Sequence, residues 1–400
     1  MSTVLQLLLL TLAVPLVLFV LYGFAMFLLS GLALLQSRSP APATNLTRFV
    51  VLVPAHDEEL LIGQTVSSIL AARTPLNDVE LFVIADNCSD RTSDIAQAHG
   101  ARCLVRNDIV NRGKPYALDW AIRQLTLDLY DALVIVDADT RIDASFFERM
   151  AARLARGSTV LQGYFGVLNP DETWLTRLAL LPGALKFKLH WPAKEMLGLS
   201  CPLAGNGMCF DIEVIKRFGW NAFSLTENWE YWAQLTLENI RTDSAPDAVI
   251  YSQVANSLSA GESQRMRWMR GRMDTSRRFA GALLKRGLAE ASAMKLDATL
   301  ELVRPSHANL LFWSGVYFGA AVVAYAWDPS IQLPLLVAGL ILCAQISTYL
   351  TGFLLDRPPL KTWAALFMVP AYLAWKLLVS VRGAAGAGDR AWVRTKRNQP

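Results

Sequence analysis

Uncharged apolar segments lie near both ends of the chain, and a sequence of ordinary polarity separates them. No charged residue occurs from Val4 to Gln36. Since about 20 apolar residues are enough for a helix to cross a bilayer, this run predicts one transmembrane helix. Arg38 and Arg48 follow it, and the preference of basic residues for the cytosolic side predicts that the next segment is cytosolic.

Two further apolar segments, Asn309–Trp327 and Ile331–Leu355, predict a pair of transmembrane helices joined by a short external turn. A last apolar stretch, Thr362–Val381, contains Lys376 and is followed by a basic tail. Because basic residues prefer the cytosolic side, we favour an interfacial or re-entrant helix for this stretch. A full span is the alternative.

The middle of the chain alternates between short β-branched runs and segments with helical spacing. This order predicts an α/β fold in which helices cover a mostly parallel sheet. The predicted strands are Phe49–Ala55, Glu80–Asp86, Ala101–Arg106 and Ala132–Asp137. The predicted helices are Glu58–Ala72, Ser89–His99 and Pro115–Leu127.

Composition narrows the classes of function. The chain is 53% hydrophobic, and its net charge of +4 is too small to indicate nucleic-acid binding. The predicted spans carry no charge away from their ends, which argues against a transporter or channel. The five cysteines have no metal-binding spacing, so we expect free thiols in a reducing compartment.

Acidic residues follow the predicted strands, where parallel sheets bind their ligands. Asp137 and Asp139 could hold a divalent cation together with a diphosphate, although an acidic turn would have the same sequence. Asp86 could accept a hydrogen bond from a pyrimidine N–H. Ser89 or Asp90 would then cap the next helix.

Four other segments carry side chains suited to binding or catalysis. Lys114 could contact a phosphate, or it could be a solvated loop lysine. The glycines of Gly205–Gly207 suit either a backbone close to a substrate or a tight turn. The acids of Thr226–Glu230 could deprotonate a hydroxyl or simply begin a helix. Arg267 could bind a diphosphate and Trp268 a sugar ring, although a basic helix on a membrane surface has the same residues.

Together, these motifs resemble the family 2 glycosyltransferases of the GT-A type, in particular membrane-integral enzymes related to cellulose, hyaluronan and poly-N-acetylglucosamine synthases. That family has an Asp, a DxD, a TED-like triplet and a QxxRW in this order. Here the motifs are Asp86, Asp137 with Asp139, Thr226–Asn228, and Gln264 with Arg267 and Trp268. The resemblance implies an inverting transfer of a sugar from a nucleotide-diphosphate sugar, UDP-linked by analogy, to a glycan or lipid-linked acceptor.

The resemblance also implies a role for each motif residue. The residues of the nucleoside pocket would be Ala55, Asp57, Glu58 and Asp86. The residues that contact the phosphates or the nucleotide sugar would be Lys114, Asp137 and Arg267. Asp139 would bind Mg²⁺ or Mn²⁺. The acceptor would be bordered by Gly205, Asn206, Gln264 and Trp268.

One position departs from the family pattern. The third residue of the TED triplet, which acts as the base in the family, is Asn228 here. An amide does not accept a proton near neutral pH, so Glu227 is expected to replace it, with Glu230 as second choice. The alternative is a nucleotide-sugar-binding pseudoenzyme or regulatory subunit.

The expected organisation has five parts at a cytosolic membrane surface. They are a transmembrane helix (1–37), a GT-A domain (45–285), an interfacial helix (286–306), two transmembrane helices (307–356), and a last membrane helix with a basic tail (360–400). Both a processive synthase and a single-transfer enzyme fit this organisation, although few spans favour the second. The basic-aromatic stretch Lys186–Lys194 could meet a lipid phosphate, a glycan or the membrane itself.

Overall fold

The computed structural model describes residues 2–36 and 41–384. Most of the basic tail predicted for the end of the chain therefore lies outside the described residues. The expected α/β fold with a mostly parallel sheet is confirmed.

An eight-stranded sheet forms the centre of the fold, in the order β3-β2-β1-β4-β7-β6-β8-β5. Strands β1 to β4 are parallel to one another, whereas β7 runs antiparallel to both of its neighbours. The strands are β1 (Thr47–Ala55), β2 (Asn77–Asp86), β3 (Arg102–Arg106), β4 (Ala132–Ile135), β5 (Thr140–Ile142), β6 (Val160–Val167), β7 (Met208–Asp211) and β8 (Thr242–Ser252).

Strand β1 is buried on both faces, as its β-branched sequence predicts. Val51 and Val53 belong to one apolar cluster, and Val50 and Leu52 belong to another on the opposite face. Alternate residues of a strand point to opposite faces, so the two clusters are the two layers beside the sheet. Helices cover both layers and hold the carboxyl ends of β1, β2 and β4 at one edge.

The helices before residue 240 begin with one long apolar helix and continue as short helices around the sheet. They are α1 (Ser2–Gln36), α2 (Ile62–Ala71), α3 (Thr92–Ala98), α4 (Lys114–Ile122), α5 (Phe146–Leu154), α6 (Trp174–Leu178), α7 (Leu180–Gly183), α8 (Trp191–Met196), α9 (Ile212–Phe218) and α10 (Glu227–Leu237). A 3₁₀ turn covers Leu127–Leu129, and a π-helical segment covers Ala184–His190.

The helices after β8 are longer. They are α11 (Leu258–Ala289), α12 (Ala293–Val303), α13 (His307–Trp327), α14 (Gln332–Asp356), α15 (Leu360–Ala365) and α16 (Val369–Ala384), with a 3₁₀ turn at Leu366–Met368. The sequence predicted an interfacial helix over 286–306. In the structure, Ala298 and Leu302 of α12 are buried in the same apolar cluster as Leu283 of α11, so α12 packs onto the α/β domain.

Within residues 2–36 and 41–384, four helical segments are long and apolar enough to cross a membrane. They are Thr3–Ala33, His307–Trp327, Gln332–Leu355 and Leu360–Gly383. By length and composition they support membrane association, and the first three coincide with the predicted spans. The fourth contains the stretch for which we favoured an interfacial helix, and its length and composition also allow a span.

Helix α1 packs against two different parts of the structure along its length. Leu9 and Ala13 pack with the apolar helices α13 and α14, whereas Met26 packs against Ala193 and Leu199 of the α/β domain. Thirty-five helical residues reach about 52 Å, which exceeds the hydrocarbon core of a bilayer. At the change of environment, the Tyr22 hydroxyl donates a 2.7 Å hydrogen bond to Asp297.

Candidate active site

The residues that the sequence singled out meet at the carboxyl edge of β1, β2 and β4. Asp137 lies two residues beyond the end of β4, and Lys114 is the first residue of α4. The Lys114 ammonium group donates a 2.5 Å hydrogen bond to Asp137 Oδ1 and lies 3.7 Å from Glu227 Oε1. It also donates to the carbonyl of Gly205. Lys114 thus joins the DxD, the TED-like triplet and the glycine loop into one cluster.

The electrostatics of this cluster are set by burial and by opposite charges held close together. Burial raises the pKa of Glu227 above its ordinary value, although the positive charges of Lys114 and Arg267 act in the other direction. For Lys114 burial acts to lower the pKa, but the carboxylates of Asp137 and Glu227 outweigh it and raise the pKa. A carboxylate with a raised pKa binds a proton more readily, which suits Glu227 to proton transfer.

Asn228 is fixed beside Glu227 by its amide. Its Nδ2 donates a 2.6 Å hydrogen bond to the carbonyl of Leu203. A carboxylate could not make this bond because it has no proton to donate when ionised. Gly205, with φ at +92°, passes so close that a Cβ there would lie 3.5 Å from Asn228 Cγ. Asn228 therefore holds the glycine loop against the start of α10.

Asn206 supports Asp137 from behind. Its side chain is buried; Oδ1 accepts a 3.0 Å hydrogen bond from the Asp137 backbone, and Nδ2 donates to Thr140 and Ser252. The sequence predicted an acceptor contact for Asn206. Because the side chain is enclosed and its amide groups are occupied, the structure gives it a positioning role instead.

Sequence reasoning missed Gln162, which completes this support. The side chain is fully buried, donates to the carbonyl of Asn206 and accepts from the backbone N–H of Ala204. The sequence did contain a signal for this residue, namely a polar amide within the apolar strand Val160–Val167. Because a buried polar group needs hydrogen-bond partners, such a position indicates a supporting role.

Asp86 lies at the end of β2 in a buried ion pair. Its Oδ1 is 2.6 Å from the Arg106 guanidinium, and both side chains are almost fully buried. Asn87 donates to the same oxygen, and the backbone N–H of Gly113 donates to Oδ2. The carboxylate is therefore fixed in orientation, and it links β2 to the loop that carries Lys114.

The other predicted pocket residues lie next to Asp86. Ala55 and Glu58 are buried, and Asp57 accepts a 2.7 Å hydrogen bond from the backbone of Ser89. Potential ligand atoms of Asp57, Cys88 and Asp90 lie within 4.8 Å of one another. Asp90 accepts a 2.9 Å hydrogen bond from the backbone N–H of Thr92, whereas the N-cap residue of α3 is Arg91, so local hydrogen bonds explain this acidic group.

The DxD is better suited to a divalent metal ion. Asp137 is 38% exposed, Asp139 is also partly exposed, and the two are one residue apart at a strand end. Hard carboxylate oxygens of this kind are the ligands that Mg²⁺ and Mn²⁺ prefer. Asp139 is close enough to Lys114 for its charge to act on that ammonium group.

Glu230, the second choice for the base, faces away from the cluster. One carboxylate oxygen accepts from the backbone N–H groups of Phe223 and Ser224, and the other pairs with Arg278 at 2.7 Å. The side chain is 3% exposed. Glu230 therefore fastens the loop before α10 and has no oxygen turned toward Lys114.

Helix α11 carries Gln264, Arg267 and Trp268 to the site. It packs directly on the start of α10, because a Cβ at Gly271 would lie 2.5 Å from Thr226 Cγ2. The charge of Arg267 acts on Glu227 across this contact. Gln264 is partly exposed and Trp268 is 50% exposed, which leaves both side chains available to an acceptor.

Known proteins share this arrangement at the level of sequence and fold. The family model described as glycosyltransferase-like family 2 matches residues 47–271. The probable glycosyltransferase YdaM of Bacillus subtilis is 23% identical over 250 residues, which cover 60% of this chain and 59% of that protein. Glucomannan 4-beta-mannosyltransferase 7 of Arabidopsis thaliana is 21% identical over 251 residues, with 59% and 44% covered.

This chain thus matches less than two thirds of the length of these two relatives.

Among solved structures, the mannosyltransferase PcManGT from Pyrobaculum calidifontis, in complex with GDP-Man and Mn²⁺, superimposes with a TM-score of 0.55 at 16% identity. The alignment covers 96% of this chain and 99% of PcManGT, which shows the same fold, the GT-A type. The chain belongs to the glycosyltransferase-like family 2.

Proposed function

We propose that this chain is an inverting, metal-dependent glycosyltransferase that transfers a sugar from a nucleotide-diphosphate sugar to an acceptor at the cytosolic membrane face. The observation that carries the proposal is the cluster of Lys114, Asp137 and Glu227 at the carboxyl edge of the sheet. A cation that could bind phosphate lies there beside a carboxylate suited to the donor and a carboxylate suited to act as base, which supports the proposal.

The nucleoside would bind at the ends of β1 and β2. Asp86 would accept a hydrogen bond from the base, because Arg106 and Gly113 hold its carboxylate at the edge of the sheet. Ala55, Asp57 and Glu58 would line the same pocket, since they follow β1 directly beside Asp86.

The diphosphate would lie between the DxD and α11. Asp139 would hold Mg²⁺ or Mn²⁺, and Asp137 the nucleotide sugar. When bound, the metal offsets negative charge on the diphosphate. Lys114 and Arg267 would bind the phosphate oxygens, for which Lys114 exchanges its hydrogen bond to Asp137 for one to phosphate. PcManGT, which was solved with a nucleotide sugar and Mn²⁺, supports this donor class.

Glu227 would be the general base. Its carboxylate takes the proton of the acceptor hydroxyl while the hydroxyl oxygen forms a bond to the anomeric carbon. The bond between that carbon and the diphosphate oxygen breaks, and its electron pair leaves with the nucleoside diphosphate. Attack opposite the leaving group inverts the anomeric centre. The acceptor would enter past Gln264 and Trp268 on α11.

Membrane association supports an acceptor that is lipid-linked or extruded at the membrane. Helices α1, α13 and α14 pack together through an apolar cluster, and α1 continues onto the catalytic domain. The active site is thereby fixed next to the membrane surface. A bundle this small favours transfer of one or a few sugars over the extension of a long polysaccharide.

Nucleotide release by the detergent-purified full chain tests the proposal. A panel of UDP- and GDP-sugars with Mg²⁺ or Mn²⁺ should identify one donor, and chelation by EDTA should stop its turnover. Asp139→Asn should lower turnover at least about a hundredfold if the carboxylate holds the metal. Binding of a nucleotide without turnover of any donor would instead identify a pseudoenzyme.

A further inference from the structure

Four basic side chains lie together where the catalytic domain meets the apolar helices, outside the donor site described above. We call Lys186, Arg265, Arg272 and Lys376 the interfacial cation cluster. Lys186 is in the π-helical segment, Arg265 and Arg272 are on α11, and Lys376 is on α16. All four residues are partly exposed to solvent.

The Lys186 side chain has no ion pair among the described residues, and the carboxylate that acts on it, Glu301, is shared with Arg304 and Lys194. Among the residues that the structure describes, no carboxylate or hydrogen-bond acceptor contacts its ammonium group within bonding distance. Burial and the positive charge of Arg272 together lower the pKa of Lys186 to about 8. An unpaired, partly enclosed ammonium group is costly, and an anion bound beside it would remove that cost.

Lys376 adds a second such charge from the other side of the space. It lies within electrostatic range of Lys186, Arg265 and Arg272, and its ammonium nitrogen is 6.0 Å from the centre of the Tyr372 ring. Lys376 is also the only charged residue in the window of the apolar segment that runs from Thr362 to Val381. Ionisable residues in such segments usually mark functional sites.

The two arginines are fixed by contacts with neutral groups, and the charge of Glu301 also acts on Arg272. Arg272 donates to the backbone carbonyls of Glu301 and Arg304 at 2.8 and 2.7 Å. Arg265 donates to the Tyr372 hydroxyl at 2.8 Å and stacks over Trp375. Neither contact involves a carboxylate, so both guanidinium groups keep their full charge.

The carboxylates nearest to the cluster are already paired elsewhere. Asp297 accepts from Lys194 at 2.7 Å, and Glu301 pairs with Arg304 at 3.1 Å and with Lys194 at 3.4 Å. They form a buried network below the cluster and connect to Tyr22 of α1. The carboxylates that face the cluster are therefore shared with other cations, which leaves the interfacial cation cluster suited to an anion from outside the protein.

The position of the cluster indicates where that anion comes from. Lys186 follows Leu185, and a Cβ at Gly352, near the end of α14, would lie 3.1 Å from Leu185 Cδ2. The cluster is therefore level with the ends of the apolar helices, where lipid headgroups lie. Tyr372 and Trp375 beside it are the amphipathic aromatic residues that prefer this depth.

The cluster is also close to the reacting groups. Arg272 stacks over Trp229 at 4.8 Å, and Trp229 directly follows Asn228 in the TED-like triplet. Arg265 and Arg272 are seven residues apart, so they lie on one face of α11, whereas Arg267 lies on the face toward Glu227. One helix thus borders both the donor phosphates and the cation cluster.

We propose that the interfacial cation cluster binds the phosphate group of a membrane-embedded acceptor, an anionic lipid whose phosphate sits among Lys186, Arg265, Arg272 and Lys376. This inference rests on the proposed function, because it names the acceptor class of the same active site. Basic side chains from three segments of the chain suit a phosphate group, and guanidinium groups bind its oxygens in a forked geometry. The lipid chains would extend along α14 and α16 into the bilayer.

Binding of short-chain phosphatidic acid to the detergent-purified full chain tests the inference by calorimetry. Phosphatidylcholine of the same chain length and inorganic phosphate are the comparison ligands. Phosphatidic acid should bind at least about tenfold more tightly than either, because only it joins an accessible phosphate monoester to lipid chains. Equal binding of phosphatidylcholine overturns the inference, and equal binding of inorganic phosphate overturns the lipid assignment.

Two variants locate the site, and a third is the control. Lys186→Gln and Lys376→Gln should each weaken phosphatidic acid binding roughly tenfold. Lys285→Gln changes an exposed lysine of α11 far from the cluster and should have no effect. If Lys186→Gln fails to fold, Lys376→Gln decides. Native-like affinity in a folded Lys376→Gln protein would overturn the inference.

UDP and GDP binding in the presence of Mn²⁺, measured on the same samples, separates this inference from the proposed function. All three variants should bind the nucleotide as the native chain does. A native chain that binds nucleotide but shows no preference for phosphatidic acid refutes only the lipid site. A chain that binds phosphatidic acid through the two lysines but binds no nucleotide refutes only the proposed transfer reaction.

Discussion

The substitution Asn228→Asp restores the residue that the family pattern has at this position, and the structure predicts that it will harm this enzyme. The Asn228 amide donates a 2.6 Å hydrogen bond to the Leu203 carbonyl. An aspartate would place a carboxylate oxygen against that carbonyl and would lose the bond. It would also add a negative charge beside Glu227, whose surroundings already contain Asp137.

The expected cost follows from the loss of one partly buried hydrogen bond and the repulsion of the two oxygens. An unsatisfied polar group of this kind costs about 1 to 3 kcal/mol of folding free energy. For a domain of this size, each kcal/mol lowers Tm by about 2 to 4 °C. Because the loop from Leu203 to Gly205 would move away from Lys114, kcat/KM should also fall about tenfold or more.

Asn221 offers a matched control. Its Nδ2 donates a 2.6 Å hydrogen bond to the Phe218 carbonyl, but the side chain is exposed to solvent. Water can replace that bond, so Asn221→Asp should change stability by less than about 0.5 kcal/mol and leave kcat/KM unchanged. Thermal unfolding in detergent and nucleotide release compare the two variants. An Asn228→Asp enzyme as stable as the native chain and faster would refute the positioning role of the amide.

Two further predictions concern the base and the helix contact at its side. Burial raises the pKa of Glu227, and activity requires the deprotonated carboxylate. The value of kcat/KM should therefore increase with pH around a pKa above that of an ordinary glutamate. An increase of kcat/KM around the ordinary glutamate pKa would contradict this assignment. Gly271→Ala would put a Cβ at 2.5 Å from Thr226 Cγ2, so α11 should separate from α10 and turnover should fall about tenfold or more. Gly281→Ala is the control, because a Cβ there meets nothing within 4 Å and the rate should stay unchanged.

The parallel half of the sheet could be predicted from the sequence, because its strands are β-branched runs buried on both faces. The observed strand Thr47–Ala55 extends the predicted Phe49–Ala55 by only two residues, and Asn77–Asp86 extends Glu80–Asp86 by three. Local sequence decides these elements. The motif residues at their ends, such as Asp86 and Asp137, are then brought together by the parallel topology itself.

The antiparallel half could not be predicted in the same way. Strand β7 begins at the glycine loop beside Asp137 and runs back along β4, so its direction depends on where the loop is held. Gly207, with φ at +65°, donates from its backbone N–H to the Ile135 carbonyl at 3.0 Å and begins this return. The direction and register of β7 depend on these tertiary contacts, and the four residues of the strand do not by themselves indicate them.

Within the site, the sequence indicated the residue types but not the partners that decide their roles. Glu227 and Glu230 are equivalent in sequence, and only the fold shows that Arg278 and two backbone N–H groups occupy Glu230. The pairing of Asp86 with Arg106 joins residues twenty positions apart. The same holds for the interfacial cation cluster, whose members come from three distant segments of the chain.

The most direct test of the account compares Glu227→Gln with Glu213→Gln. Glu213 is an exposed glutamate of α9 that serves as the control for the same chemical change. The assay is nucleotide release from the donor identified in the panel, with nucleotide binding as the check that each protein is folded. If Glu227 is the base, Glu227→Gln should bind the nucleotide normally but lower kcat by at least about a hundredfold. Glu213→Gln should keep the native rate. Native turnover by a folded Glu227→Gln enzyme would contradict the assignment of Glu227 as the base.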